Sequence, residues 1–140
     1  MVLKWLPRFC PDPEQQIATF CKGRVIQPDD EFVASCGLAT DPEAARVALA
    51  VRRAVANVGS VESGYIVAAD VYPDQLAMLP LWDSMDWVAF MMELEEQLGT
   101  RISDQEAERL FDPYRISVKE MVEGVRAMLA RRAVIKGADQ

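Results

Sequence analysis

Apolar positions recur at helical spacing in several stretches of the chain, and no run alternates with the two-residue period of a half-buried strand. Between Asp83 and Gly99, residues Trp87, Phe90, Met91, Leu94 and Leu98 fall on one stripe when successive residues turn by about 100°. That spacing predicts a core-facing helix. Asp86, Glu93 and Gln97 are expected on its water side, and Val88, Ala89, Met92, Glu95 and Glu96 on a mixed shoulder from which Ser84 also projects. Carboxylates beside apolar side chains suit a basic partner; a partly buried helix edge gives the same pattern.

A second stripe, Ala44, Val47, Val51, Ala54, Val55 and Val58, predicts a long helix. It opens at Thr40-Asp41-Pro42-Glu43, where Thr40 and Glu43 have capping-box spacing and Asp41 before Pro42 is a competing cap. Leu49 breaks the stripe between Arg46 and Arg53 and is the expected docking point for the N-terminal segment. Ser103 with Glu106 predicts a short helix ended by Asp112-Pro113. Ser117 with Glu120 predicts a last long one carrying Val118, Met121, Val122, Val125, Met128 and Leu129, with cations near its end. Four single-stripe helices, three longer and one short, can bury their stripes only against one another, so an all-α four-helix bundle is expected.

Residues 59–82 form a long connection, which Val61, Ile66, Val71, Tyr72, Leu76 and Leu79 can pin to the bundle, with one helical turn at 73–76. Ahead of the bundle, Asp12-Pro13-Glu14 and Gly23 bracket a short helix with Ile17, Phe20 and Cys21 on one edge. Another short helix runs from about Asp30 to Cys36, with Phe32, Val33 and Cys36 on one face. The expected organisation is a helical extension over residues 1–39, a bundle over 40–135 and a frayed tail over 136–140. Lys4, Pro7 and Arg8 interrupt the apolar run that a signal peptide needs.

Charge narrows the function. The 140 residues carry a formal net charge of −7, and the segment 83–112 holds nine acids against Arg101 and Arg109. All the net charge sits around Ser84, which points to basic partners and away from nucleic acid. No histidine is present, which removes the commonest general base. Cys10, Cys21 and Cys36 are too few and too scattered for a zinc site; reduced thiols and a cytoplasmic setting are expected. No stretch approaches the roughly 20 apolar residues of a membrane span.

Four blocks then fall in register without a gap: Asp83-Ser84-Met85-Asp86, Leu94-Glu95-Glu96-Gln97-Leu98-Gly99, Ile102-Ser103-Asp104 and Ala107-Glu108-Arg109-Leu110. Read alone, Asp83-Ser84 would be a helix cap. In this register the segment resembles the central part of the acyl carrier proteins. The resemblance implies a four-helix carrier fold with a long first loop. It implies that Ser84 receives a phosphopantetheine arm from coenzyme A by the action of a separate transferase, with Asp83, Met85 and Asp86 around the attachment point. Val88, Ala89, Met92, Glu95 and Glu96 match the family's partner-recognition positions. Two departures stand out: Leu81-Trp82 replaces the family's small pair before Asp-Ser, and Ala89 stands where an acid is common.

The function so implied is carriage rather than catalysis. An acyl group would be held as a thioester and passed between loading and using enzymes of fatty acid, polyketide or related biosynthesis, with the chain acting as a monomer. Trp87, Met91, Met92, Leu110 and Met121 are the expected lining of an apolar gap for cargo, or equally plain core. The alternative is a helical interaction module that keeps the fold and lacks the arm, Ser84 serving only as a cap.

Overall fold

The computed structural model describes the backbone of residues 12–84, 87–110 and 115–138, and their side chains except those of Ser84 and Ala138. Six helices lie among these residues: α1 (Pro13–Cys21), α2 (Asp29–Ser35), α3 (Pro42–Val58), α4 (Trp87–Leu98), α5 (Asp104–Leu110) and α6 (Val118–Ala138). The architecture is mostly helical. It includes one ribbon absent from the sequence expectation, β1 (Val71–Tyr72) antiparallel to β2 (Ile116–Ser117), with Tyr72 opposite Ile116. Two residues a side are too few to print a period of two.

Local chemistry sets the helix starts. Asp41 rather than Thr40 caps α3, accepting from the amides of Glu43 (3.1 Å) and Ala44 (3.2 Å). Reciprocal boxes open the last two helices. The Ser103 hydroxyl accepts from Glu106 N–H while the Glu106 carboxylate accepts from Ser103 N–H, and Ser117 and Glu120 repeat the exchange. Asp112-Pro113, the expected end of α5, lies outside the described residues. The last helix runs to Ala138, past the expected boundary at 135, although residues 133–137 are all exposed. No helix among the described residues is long and apolar enough to cross a membrane.

Helix α3 is the central element, packing on α4 and α6. Its predicted stripe is buried throughout, and Ala48, Ala50, Arg52 and Ala56 are buried as well. The extra cover comes from the extension and the long connection. Phe20, Phe32, Val33 and Cys36 of the extension share one core cluster with the bundle, as do Val61, Ile66, Tyr72, Leu76 and Leu79 of the connection. A 3-10 turn of the connection forms at Leu76–Met78, three residues later than the turn expected to start at 73, and another forms at Ser63–Tyr65. Gly64 admits the extension closely, since a Cβ there would lie 2.5 Å from Ile26 Cγ2.

Two arginines tie the extension down, and neither is legible as an anchor from the sequence. Arg52, 0% exposed, donates to the Ile66 carbonyl (2.9 Å), the Gln27 carbonyl (2.9 Å), the Gly64 carbonyl (3.1 Å) and Asp29 Oδ1 (2.9 Å), with its guanidinium over the Phe32 ring. Burial lowers its pKa. Arg24 grips buried Asp70 with two nitrogens at 2.8 and 2.9 Å and donates to the Tyr65 carbonyl. Leu49, the expected docking point, is half-buried and packs against the core, while the polar anchoring runs through Arg52, three residues on. Its carbonyl partners are far away in sequence, so helical spacing carries no trace of them.

Removing one side of such a cage leaves buried acceptors without donors, which is costly. Arg52→Ala is therefore expected to lower unfolding free energy in urea by about 3 kcal/mol and to make residues 13–38 protease-sensitive. A second prediction concerns the bond between α5 and α6. The Arg132 guanidinium binds Glu106 at 2.6 and 2.8 Å and, with the Ser103 amide, lowers its carboxyl from 4.5 to about 2. A depressed carboxyl stabilises the fold fully above its unfolded value, and the contribution is lost as pH falls through the folded one. Stability should drop by about 1–2 kcal/mol between pH 4.5 and 2 after allowing for partial exposure, and Glu106→Gln should remove that component of the pH profile.

Candidate functional site

The turn carrying Ser84 is built on a buried tryptophan. Trp82–Ser84 is a single 3-10 turn leading into α4. Trp82 is 1% exposed, and its indole donates to the Val55 carbonyl at 3.0 Å. That carbonyl also accepts from Gly59 N–H, so the indole docks on the C-terminal turn of α3. Around it stand Trp87 (5.6 Å between centroids, nearly perpendicular), Phe90 (5.2 Å) and Tyr72 (5.9 Å). Such tilted and edge-on contacts favour aromatic pairs beyond the area they bury. Of this cluster, Trp87, Phe90 and Tyr72 are visible as apolar positions, whereas Trp82 reads from sequence only as bulk before the serine.

With Trp82 turned inward, its neighbours point out. Leu81 is 46% exposed and Asp83 is exposed. Asp83 donates its backbone N–H to the Leu79 carbonyl, and its carboxylate accepts from Gln16 Nε2 at 2.8 Å. Gln16 belongs to α1, so the extension touches the residue immediately before Ser84. No sequence signal marks Gln16. Ser84 is described by its backbone alone, and Met85 and Asp86 lie outside the described residues.

The shoulder of α4 is rotated from its expected place. Phe90, Leu94 and Leu98 face the core, and at about 100° per residue the positions half a turn away are Met92 and Glu96. Val88 (70%) and Met92 (64%) are accordingly the most exposed apolar residues of the helix. Glu93 and Gln97, expected in water, are half-buried, and Glu93 accepts from Asn57 Nδ2 of α3 at 3.2 Å. Val88, Met92 and Glu96 of the mixed shoulder are thus outermost, and the partly-buried-edge reading fits only Ala89 and Glu95, which are half-buried.

Two grooves flank that face. One, of about 450 Å³, lies between α4 and α5, floored by Trp87, Met91, Ile102 and Ala107 and rimmed by Val88, Met92, Glu95, Asp104 and Glu108. Of the expected cargo lining, Trp87, Met91 and Met92 are present. Leu110 and Met121 are buried in the core instead, at 5% and 0% exposure. The second groove, of about 310 Å³, runs between the end of α3 and α4 past Leu81, Ala89, Met92, Glu93 and Glu96. The five shoulder residues therefore divide: Val88 and Glu95 on one groove, Ala89 and Glu96 on the other, Met92 on both. Glu95 also has an internal role, accepting from Ile102 N–H at 2.7 Å and so holding the turn before α5.

Neither groove lining contains a lysine or arginine. Burial raises the pKa of the Cys21 and Cys36 thiols, both free, and among the described residues no cluster of histidine, cysteine, aspartate or glutamate suits a metal ion. Compared with protein-family models, with curated proteins and with solved structures, the chain shows no match.

Proposed function

We propose that this chain is a carrier protein whose Ser84 takes a phosphopantetheine arm and whose α4 face docks the enzymes that load and use the acyl group. The observation that carries the reading is the turn at 82–84. Its tryptophan is anchored in the core, the residues on either side of that tryptophan, Leu81 and Asp83, are exposed, and Leu81 lines the groove that runs between the end of α3 and α4 past Glu93 and Glu96. A modification site needs such a turn: rigid enough to be recognised and outside the packed core. Asp83, immediately before the attachment point, is exposed, which suits a bulky group carried on the next residue. When bound, the arm would supply a terminal thiol for thioester formation.

The protein's own part is to present the serine. Trp82 fixes the turn, Gln16 holds the Asp83 carboxylate, and Val88 and Met92 offer apolar contact between Glu95 and Glu96. The transferase would supply the base and the metal, because a lone serine hydroxyl is a weak nucleophile. In the transfer the Ser84 oxygen bonds to the phosphorus of the arm, the pyrophosphate linkage of coenzyme A breaks, and the phosphorylated nucleoside leaves with the electron pair. The serine proton passes to the transferase. The second reading, an unmodified interaction module, draws on Leu81 and Trp82, which make the approach to Ser84 bulkier than in the resembling family.

Intact mass after incubation with coenzyme A and a broad-specificity transferase separates the two. One added phosphopantetheinyl group is expected, absent in Ser84→Ala; an unchanged mass in the wild type would leave the interaction module. Docking by carboxylates is screened by salt, so the Kd for a basic partner enzyme should rise about ten-fold between 50 and 500 mM salt, read by calorimetry.

A further inference from the structure

Leu81 occupies a conformation that leucine seldom adopts. Its φ is +66°, in the left-handed region where a Cβ crowds the following carbonyl and glycine carries no penalty. It nevertheless keeps a side chain that is 46% exposed. The surrounding structure imposes the corner. Trp82 is pinned to Val55, Asp83 N–H is bonded to the Leu79 carbonyl, and the Asp83 carboxylate is held by Gln16. Burying Trp82 therefore turns its predecessor outward, and the chain carries a strained leucine there. Strain kept at an exposed apolar residue points to use of the side chain rather than to packing.

The neighbours of Leu81 indicate what would use it. It lines the groove between the end of α3 and α4 with Val58, Ala89 and Met92, and Met92 is itself 64% exposed. Glu93 and Glu96 border the same groove, and no basic side chain lines it. An apolar strip edged by carboxylates on one side is complementary to a lysine- or arginine-bearing face: the aliphatic stems lie on leucine and methionine, and the charged heads reach the acids.

Resting on the proposed function, we propose that Leu81 is a specificity-determining contact for the enzyme acting at Ser84, receiving an apolar-and-basic face of that enzyme in the α3–α4 groove. The docking surface then reaches beyond the shoulder of α4, across the connection, to residues on both sides of the serine. Leu81 touches no reacting atom; it acts by binding.

The test is steady-state phosphopantetheinylation of the full chain by a broad-specificity transferase, with melting temperature measured on each variant. Leu81→Gly and Leu81→Asn both suit a left-handed position, so each should melt at or above the wild-type temperature. The expected result is a KM for the carrier raised about five- to ten-fold with kcat within about two-fold, and near-wild-type KM in Leu81→Met. Wild-type KM in the glycine and asparagine variants would overturn the inference while leaving carriage intact. A clear fall in melting temperature would overturn it too, by showing that Leu81 is packing. No modification of the wild type would remove carriage itself, and the inference with it.

Discussion

Burial of one indole governs the geometry around Ser84. Trp82 fills a site among Tyr72, Trp87 and Phe90 and places its only hydrogen-bond donor on a carbonyl at the end of α3. That carbonyl already accepts from Gly59 N–H, so the indole takes its second acceptor site. Three consequences follow from that single placement. The connection must turn sharply just before it, Leu81 must face outward, and so must Asp83. A small residue at 82 would leave the end of α3 under-packed and the turn without a fixed height above the core.

The extension serves the same turn from another side. It does not stand apart from the bundle, because Phe20, Phe32, Val33 and Cys36 are buried in the common core. Its attachment combines that burial with buried Arg52 and half-buried Arg24, a pairing in which each part needs the other. Arg52 would be costly inside a protein without its carbonyl and carboxylate acceptors, and it donates to the carbonyls of Gln27, Gly64 and Ile66, of which that of Gly64 also accepts from Gln27 N–H. These contacts add to the connection's own backbone bonds, such as Tyr65 N–H to the Glu62 carbonyl and Ile66 N–H to the Ser63 carbonyl, and make a long irregular segment compatible with burial. With α1 so fixed, Gln16 arrives at Asp83.

Amphipathic helices were legible because burial on one face imposes a repeat. The stripes of α3 and α6 are buried nearly as the spacing predicts, and the Ser103 and Ser117 boxes form as reciprocal hydrogen bonds. What was not legible lacks a repeat. Arg52, Arg24 and Gln16 act through contacts that do not repeat along the chain, to residues between 12 and 67 positions away, and each strand of the β1–β2 ribbon is two residues long. At the site, the position of Ser84 before a patterned helix and the acidic content of the segment were readable. The inward turn of Trp82 was not, since a tryptophan beside a serine reads equally as a wall or as an anchor. The orientation of α4 differs from the expectation that sets Asp86, Glu93 and Gln97 opposite the core, because the direction fixed by Phe90, Leu94 and Leu98 puts Met92 and Glu96 there.

That rotation changes what the surface of α4 is for. Had Glu93 and Gln97 been outermost, the helix would present a solvated polar face, and its carboxylates would explain themselves as such. Instead the outermost positions are two apolar residues and an acid, Val88, Met92 and Glu96 on one line, with exposed Leu81 and half-buried Ala89 on the groove beside it. Exposed valine and methionine at 70% and 64% add nothing to folding, and a chain selected for stability alone would carry polar side chains there. The acids around them keep the apolar face soluble when it is free, and they attract a basic surface when one approaches. A single physical arrangement thus accounts for both the clustering of negative charge on residues 83–112 and the apolar side chains left in water among those charges.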